Sequence, residues 1–415
     1  MLPLRLAIPI PRRPSQLSRV CLSPFVFYRR YNIAKGRPPI LSDHHVKSTL
    51  PASDSIETYQ ETLRGIQYAF DPVDTSHIKA DLQSFDFLNP DINPNLPGNN
   101  LANPINPPAE GVPWPTSFPY SYQSKHWMFT EKNLEAFMRD TYPQDPWGEH
   151  GTASEYVDRV VDSAISFVVN VFPTCNPTRL KILARMYALV FMHDDSVDLS
   201  NIPLDQVPRG TLSKTGFSKV SGEALDESPM LGKNMIESIQ RWASIAGDPP
   251  SPTIQNFDDY VAYRIQSAGA EPVFRSVEFG CDLRLSDDEK NSVGPFTVAC
   301  AKQFALTNDL YSYEKEVAEA EDGEASSNTV GLIQEQTGKA ADFAKSIVRQ
   351  VIWNTETQIH DEYLALLNAY GAEDVRLKYA QSLVLALAGN MFYSATCQRY
   401  ARAVEGSELA LEDSE

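Results

Sequence analysis

The sequence has few cysteines, no long apolar run and little positive charge beyond its first residues. Its 415 residues include five cysteines, and none of them forms a CxxC pair. They are Cys21, Cys175, Cys281, Cys300 and Cys397. This usage argues against a disulfide framework or a cysteine zinc site and fits a reducing compartment. No apolar stretch approaches the roughly 20 residues of a membrane-spanning helix, so we expect a soluble protein with no membrane span.

Charge is distributed unevenly along the chain. The net charge is −18, yet residues 1–42 contain arginine and lysine but no aspartate or glutamate. The rest of the chain is therefore more acidic than the total. Such a surface argues against a nucleic-acid partner, which would require basic patches.

The two ends of the chain differ in composition from its middle. Residues 1–37 form a basic N-terminal segment that is typical of an organelle transit peptide. The alternatives are an untargeted extension and a misassigned start codon, so we predict a cytoplasmic protein with mitochondrial targeting as the alternative. Residues 38–117 are rich in proline and asparagine, which predicts a largely irregular extension that wraps the surface or stays mobile. Residues 406–415 predict an acidic disordered tail.

The middle of the chain has helical periodicity. Asn176 and Pro177 predict a helix start, and apolar residues follow at three- and four-residue steps. No strand-like alternation of useful length appears there. Glycine, serine and proline recur in residues 200–232, which predicts a loop. We therefore predict an all-α fold in one domain, residues 118–405.

Polar groups recur every fourth residue in one stretch of this domain. A helix places Asn308, Ser312 and Glu316 on the same face. An amide, a hydroxyl and a carboxylate supply hard oxygen ligands, which suit Mg²⁺. The alternative for this stretch alone is a solvated helix face.

A second oxygen cluster lies at the end of the helix that begins at Pro177. Asp194 and Asp198 are one turn apart, with Asp195 beside them. Clustered carboxylates repel each other unless a cation lies between them, so we interpret them as metal ligands. We interpret His193 as a structural hydrogen-bonding residue rather than a ligand.

Two further segments could bind an anion. Arg264 precedes Pro272, which has no N–H to donate to the Ala268 carbonyl, so the helix should break near Gly269. Arg399 and Tyr400 follow an apolar helix. An arginine fork matches phosphate oxygens, and a tyrosine adds a hydroxyl donor.

Taken together, these features resemble the class I terpene cyclases, specifically the fungal type. The metal motifs of that family, DDxxD and (N/D)DxxSxxxE, are similar to Asp194–Asp198 and Asn308–Glu316. Its diphosphate-sensing arginine, its linker and its effector resemble Arg264, Ser267 and Ala268. The family's C-terminal Arg-Tyr pair resembles Arg399 and Tyr400. Its lysine before the last glutamate of the second motif resembles Lys315. The resemblance covers residues 118–405, and the long N-terminal extension departs from it.

The resemblance implies a single class I terpenoid synthase α-helical bundle around a central apolar cavity. It implies three Mg²⁺ ions, with ligands from both motifs: Asp194, Asp195, Asp198, Asn308, Ser312 and Glu316. It also implies residues that bind the diphosphate: Arg264, Lys315, Arg399 and Tyr400. The helix faces below the motifs would line the cavity with Tyr187, Val190, Phe191, Phe304, Ala305, Phe392 and Thr396. Plain core packing is the alternative for each of the aromatic residues.

The implied reaction is Mg²⁺-dependent ionisation of a linear prenyl diphosphate, followed by carbocation cyclisation and release of diphosphate. This is a lyase reaction of secondary metabolism. We favour farnesyl diphosphate and a cyclic sesquiterpene, with geranylgeranyl diphosphate and a diterpene as the alternative. The protein would act as a monomer or a homodimer.

Other functions explain fewer of these features. A prenyl chain-elongating synthase would need a second aspartate-rich motif, which Asp287–Asn291 does not supply, and a class II cyclase would need a DxDD motif, which is absent. A metal-dependent HD-type phosphohydrolase could use His193 and Asp194, but it leaves the second cluster unexplained. A non-catalytic helical scaffold would have no reason to keep both oxygen clusters, and loss of Mg²⁺ binding would favour it.

Overall fold

Helices make up most of the described part of the chain. The structure is a computed structural model that describes residues 62–75, 82–93, 96, 100–141, 153–198, 212–245, 254, 256–320, 328–404 and 407. The predicted transit segment, residues 1–37, and nearly all of the predicted tail, residues 406–415, lie outside these residues. The domain boundaries proposed at these ends stay predictions.

The described elements confirm the all-α prediction. The two strands, β1 (Ala102–Ile105) and β2 (Ser121–Ser124), form one short antiparallel pair. The helices are α1 (Trp127–Thr141), α2 (Ala153–Val171), α3 (Pro177–Asp198), α4 (Leu212–Glu227), α5 (Pro229–Ala243), α6 (Phe257–Ser267), α7 (Ala270–Gly280), α8 (Asp287–Ser292), α9 (Gly294–Glu319), α10 (Thr329–Thr337), α11 (Ala341–Tyr370), α12 (Val375–Thr396) and α13 (Gln398–Ala401). Within the described residues, none of these helices is both long and apolar enough to cross a bilayer.

Helix α9 is surrounded by other helices. It packs against α6, α7, α10, α11, α12 and α13. Its N-terminal half is apolar and buried, including Cys300, Phe304 and Leu306. Helix α3, which carries the first oxygen cluster, packs against α1, α2, α4 and α7. The bundle therefore fixes both helices that carry the predicted metal ligands.

Two local predictions are confirmed. Pro177 is the first residue of α3, and the Asn176 side chain accepts a hydrogen bond from the Arg179 N–H at 2.9 Å. The predicted break near Pro272 separates α6 from α7, and Gly269 occupies the junction with φ of 76°. That left-handed conformation is easily reached only by glycine.

The loop prediction for residues 200–232 is wrong from residue 212 onward, because α4 covers most of that part and α5 begins at Pro229. Val220 and Ala224 are fully buried one turn apart, so packing outweighs the weak helix propensity of the glycines and serines. Position 232 requires glycine because the backbones of α4 and α5 approach each other closely there. A Cβ at this position would lie 2.3 Å from the Ala224 carbonyl oxygen.

The strand pair and the segment before it were not anticipated as part of the core. They belong to the same folded unit as the helices, residues 57–415. Phe85, Leu88 and Ile105 are buried in the hydrophobic core, and the Phe85 ring lies 5.3 Å from that of Phe118. Proline and asparagine prevent long regular elements here, but the apolar residues between them still bury their side chains. The expected boundary at residue 117 stays a prediction.

A buried carboxylate joins this segment to the bundle. Glu356 of α11 accepts hydrogen bonds from the Thr116 hydroxyl at 2.8 Å and from the Ser117 N–H at 2.9 Å. It also accepts from the Gln303 amide of α9 at 3.2 Å. Burial raises the pKa of Glu356 above its ordinary value, although the hydrogen bonds from Ser117 oppose that shift.

Replacing Glu356 by glutamine should give a stability deficit that depends on pH. Because the pKa is raised in the fold, the folded protein binds the proton more tightly than the unfolded chain does. The contribution of Glu356 to the wild-type unfolding free energy therefore falls as pH rises above the ordinary value of 4.5. The E356Q variant lacks this pH dependence. Its amide also accepts fewer hydrogen bonds than the carboxyl group, so its unfolding free energy near pH 5 should be roughly 2–3 kcal/mol lower than that of the wild type. Urea unfolding at about pH 5 and pH 7.5 should show the deficit narrow as pH rises.

A difference in unfolding free energy between wild type and E356Q that grows as pH rises would contradict this prediction. E373Q is the matched control, because the Glu373 side chain is 96% exposed and pairs only at the surface with Lys378. It should leave stability nearly unchanged at both pH values.

Candidate functional site

The second oxygen cluster forms a column along one face of α9. The Ser312 hydroxyl donates to Glu316 Oε1 at 2.5 Å, and the Asn308 amide donates to the Tyr400 hydroxyl at 2.7 Å. Glu316 Oε2 accepts from the Asn328 amide at 3.0 Å. The spacing of four residues thus places the three predicted ligands on one helix face.

The first cluster lies at the C-terminal end of α3. Arg399 contacts both of its described carboxylates, with Nη2 donating to Asp194 Oδ2 at 2.9 Å and Nη1 to Asp195 Oδ1 at 2.5 Å. The Tyr156 hydroxyl lies 3.3 Å from Asp195 Oδ2. Asp198 ends the helix, and its side chain lies outside the described part.

The C-terminal arginine and tyrosine join the two clusters. They are adjacent residues of α13, and Arg399 contacts the aspartates of α3 while Tyr400 contacts Asn308 of α9. Asp194 and Asn308 therefore lie on the same side of the bundle, each bonded to one of two neighbouring residues. The structure thus connects the two clusters through α13, and the assignment of these residues as metal ligands stays a prediction.

Arg264 is held by a buried carboxylate. Its Nη2 donates to Asp309 Oδ1 at 2.5 Å and its Nε to the same atom at 3.0 Å, while Nη1 donates to the Ser267 hydroxyl at 2.8 Å. Asp309 is fully buried and also accepts from the Thr329 N–H at 2.8 Å. Burial would lower the pKa of Arg264, but the adjacent Asp309 outweighs it, and the pKa is raised. Arg264 therefore stays a cation.

The break between α6 and α7 lies against α5. The Trp242 indole N–H donates to the Ser267 carbonyl at 2.9 Å. The same ring packs edge-on against His193, beside the first cluster, with centroids 5.5 Å apart. The Ala268 carbonyl cannot accept the usual helical bond, because Pro272 has no N–H. Trp242 thus contacts both the break and the residue next to Asp194.

Lys315 points along its own helix. Its Nζ donates to Glu319 at 2.6 Å, and its side chain is only 10% exposed. No described contact joins it to Arg264 or Arg399, so its role in binding diphosphate stays a prediction.

Aromatic rings pack below Arg399. Phe167 lies 4.9 Å from Tyr187, 5.8 Å from Phe191 and 5.2 Å from Tyr393, measured between ring centroids. The Arg399 guanidinium lies 5.4 Å from the Phe191 centroid. Two of the predicted lining residues, Tyr187 and Phe191, therefore belong to one cluster beneath the first motif. Phe304 packs separately against Phe274 at 6.5 Å.

The electrostatics of the site favour added cations. Burial raises the pKa of Glu316, and repulsion from Asp309 raises it further. Burial would lower the pKa of Arg399, but Asp195 and Asp194 outweigh that effect and raise it. The two carboxylates of α3 thus lie close enough to share one arginine, and a divalent cation would relieve their mutual repulsion and stabilise ionised Glu316.

The donor set fits a hard divalent ion. Every predicted ligand offers oxygen, and Asn308, Ser312 and Glu316 lie on one face with Ser312 and Glu316 already in contact. Among the described residues, no three histidine, cysteine, aspartate or glutamate side chains come together as a metal site. That observation is compatible with the prediction, because the α9 set contains only one carboxylate and the side chain of Asp198 is not described.

Sequence reasoning missed several residues of the site. Asp309 lies inside the second motif, and its partner Arg264 is 45 residues distant. Asn328, Tyr156 and Trp242 likewise act across long separations. One indication of these residues was present in the sequence, the acidic Asp309 directly after Asn308. The four-residue spacing of the predicted ligands gave that residue no role.

Comparison with protein families gives one match inside the bundle. The family model described as "Terpene synthase family 2, C-terminal metal binding" matches residues 221–358. That span contains Arg264, Asn308, Ser312 and Glu316 and ends before Arg399. The match supports dependence on a divalent metal.

Several fungal proteins are similar in sequence. Terpene cyclase 6 of Gibberella fujikuroi is 27% identical over 367 residues, which cover 83% of this chain and 96% of that protein. Terpene cyclase aneC of Aspergillus aculeatus is 26% identical over 366 residues, which cover 82% of each. Sesterfisherol synthase of Neosartorya fischeri is 27% identical over 257 residues, which cover 55% of this chain and 33% of that longer protein.

A solved structure shares the fold. Aristolochene synthase from Penicillium roqueforti superposes with a TM-score of 0.55 at 19% identity, covering 69% of this chain and 100% of that one. At this identity the likeness concerns the fold alone. It confirms the predicted class I α-helical architecture.

Proposed function

We propose that this chain, a fungal class I terpene cyclase, ionises a linear prenyl diphosphate and cyclises the resulting carbocation. The observation that carries the proposal is the pairing of Arg399 with Asp194 and of Tyr400 with Asn308. These contacts support one shared site for two oxygen clusters that are far apart in the sequence. The enzyme is a terpene synthase, a lyase that releases diphosphate.

The metal would be Mg²⁺, with three ions per site. Asn308, Ser312 and Glu316 would hold one ion, and the aspartates of α3, with Asp194 foremost, would hold the others. When bound, Mg²⁺ acts as a Lewis acid and stabilises the negative charge that develops on the leaving diphosphate.

The chain's own cations would receive the leaving group. Arg264 is a buried cation and Arg399 a partly buried one, and both already bond carboxylates, so each has the donor geometry that diphosphate oxygens require. Arg399 has donors directed at Asp194 and Asp195, and ions bound there would free these donors for the diphosphate. Tyr400 and Lys315 would add donors from α13 and α9. Ser267 and the Ala268 carbonyl, at the helix break, would face the reacting end.

The aromatic cluster would protect the cation. A carbocation is quenched by water, so the reacting end must be dry. Phe191 and Tyr187 are almost completely buried, and each aromatic face can stabilise a passing cation by roughly 0.5–2 kcal/mol. Phe304 would contribute from α9.

We infer that the substrate is farnesyl diphosphate and the product a cyclic sesquiterpene. Four large aromatic side chains pack together below the first motif, and such bulk favours the shorter prenyl chain. Geranylgeranyl diphosphate is the second candidate. It is favoured by similarity to the longer sesterfisherol synthase and to a protein of Aspergillus flavipes named bifunctional type I diterpene synthase tndC, which is 26% identical over 261 residues.

The test is incubation of purified protein with farnesyl and geranylgeranyl diphosphate, with and without Mg²⁺. Released diphosphate and volatile products would be measured. We expect Mg²⁺-dependent diphosphate release and a cyclic product, with farnesyl diphosphate turned over faster. Absence of turnover of every prenyl diphosphate would contradict the proposal, and faster turnover of geranylgeranyl diphosphate would select the second candidate.

Replacing Tyr400 by phenylalanine should lower kcat about fivefold, because one hydrogen bond of about 1 kcal/mol positions Asn308. Y370F is the control, because Tyr370 lies at the exposed end of α11. Steady-state kinetics would check this. Equal kcat for Y400F and wild type would show that the contact does not matter for turnover.

A further inference from the structure

Residues 62–75, here called the strap, contact the turn before Arg399 and a residue of α9 within the second motif. The strap begins on α1 and α2. The Trp127 indole donates to the Thr62 carbonyl at 2.7 Å, and Arg64 donates to Asp162 at 2.6 Å and to the Ser166 hydroxyl at 2.7 Å. These contacts fix its first residues across the helix that also carries Tyr156.

The middle of the strap lies on the turn between α12 and α13. The Phe70 N–H donates to the Ala395 carbonyl at 3.1 Å, and the Gln398 amide donates to the Tyr68 hydroxyl at 3.2 Å. These two partners lie on either side of Cys397, where α12 ends and α13 begins. The strap therefore fixes the turn immediately before Arg399.

The end of the strap contacts α9 through a buried ion pair. Asp71 pairs with Arg349 of α11, and Arg349 Nη2 also donates to the Tyr311 hydroxyl at 3.2 Å. Tyr311 lies inside the second motif, between Asn308 and Ser312. The Phe70 ring packs edge-on against the Tyr311 ring, with centroids 5.4 Å apart.

This ion pair is deeply buried. Arg349 is fully buried, and the Asp71 side chain is 8% exposed. Two other nitrogens of Arg349, Nε and Nη1, have no hydrogen-bond partner among the described residues. Separating the pair would leave a poorly compensated charge in the core, which is strongly unfavourable. The strap is thus held at this point by more than apolar contact.

We propose that the strap positions the α13 pair relative to the metal-binding face of α9, with Asp71 as its main positioning residue. The inference rests on the proposed function, because it concerns the geometry of that site. Asp71 contacts neither the metal ligands nor Arg399, and it acts through Arg349 and Tyr311. Neither composition nor spacing singled out this segment, and the comparisons assign it no role.

The test compares D71N and Y311F with wild type in the full chain. D71N removes the carboxylate that pairs with Arg349, and Y311F removes only the hydroxyl that Arg349 contacts. The readouts are Mg²⁺-dependent binding of inorganic diphosphate by calorimetry, kcat and KM with farnesyl diphosphate, and amide hydrogen exchange in residues 307–316 and 398–404. E135Q is the matched control, because it changes an exposed ion pair of α1.

We expect D71N to weaken Mg²⁺-dependent diphosphate binding about tenfold and to lower kcat, since residues that share one hydrogen-bond and ion-pair network are energetically coupled. Y311F should change both in the same direction by a smaller factor. Exchange should accelerate in both segments, and E135Q should match wild type. Folded D71N and Y311F with wild-type binding and exchange would overturn the proposal.

If D71N does not fold, the same measurements on Y311F test whether the strap positions the α13 pair. If wild type neither binds diphosphate nor turns over a prenyl diphosphate, the proposed function fails. Hydrogen exchange then decides the positioning role: acceleration at 307–316 and 398–404 supports it, and unchanged exchange overturns it.

Discussion

Replacing Glu316 by glutamine should abolish turnover, with kcat reduced at least about 10³-fold, while the helical circular dichroism stays unchanged. Glu316 supplies the single carboxylate of the α9 column, and its side chain bonds Ser312 and Asn328. Glutamine keeps the shape but loses the charge that would bind Mg²⁺. The Lewis acid contributes several kcal/mol, and each 1.36 kcal/mol is a factor of ten.

The control for E316Q is E314Q, two residues away on the same helix. Glu314 pairs with Lys345 of α11 and lies off the column. E314Q should retain turnover within about threefold of wild type, as expected for a partly exposed ion pair. Comparable turnover in E316Q and E314Q, or a Mg²⁺ requirement unchanged in E316Q, would show that the column does not hold the metal.

Replacing Arg264 by lysine should lower kcat by about 10²–10³-fold and also destabilise the fold. Arg264 uses three nitrogens, two toward Asp309 and one toward Ser267. Lysine keeps the charge but offers one nitrogen, so it cannot satisfy both partners and still bind diphosphate. Loss of one preorganised donor to developing charge costs about 10²–10³ in kcat. Steady-state kinetics and thermal unfolding would measure the two effects.

R241K is the matched control. Arg241 also donates to a carboxylate, that of Glu271 at 2.7 Å, but its side chain is 59% exposed. Surface pairs contribute about 0–1 kcal/mol, so R241K should leave kcat and stability nearly unchanged. If R264K and R241K behaved alike, the buried pair with Asp309 would have no special role.

The parts of the site set by local spacing could be predicted from the sequence. A four-residue interval defines the column of Asn308, Ser312 and Glu316, because the helix repeat is local. The break at Gly269 follows from Pro272 in the same way, since a proline cannot donate the bond that would continue the helix. The order of the features along the chain then indicated the family.

The contacts that complete the site could not be predicted in this way. Arg264 and Asp309 are far apart in sequence, and their pairing depends on how α6 packs against α9. Asp71 lies in a segment whose composition predicts irregular backbone, and composition does not show that it pairs with a buried arginine. Helix α4 was missed for a related reason, because its burial comes from neighbouring helices rather than from its own propensity.

The most direct test of the central claim is a crystal structure of the protein with Mn²⁺ and inorganic diphosphate, using anomalous scattering to locate the metal. The account predicts metal peaks bound by Asn308, Ser312 and Glu316 and by Asp194, with diphosphate between them and contacted by Arg264 and Arg399. Metal and diphosphate bound elsewhere, or an anomalous map without peaks between α3 and α9, would contradict it.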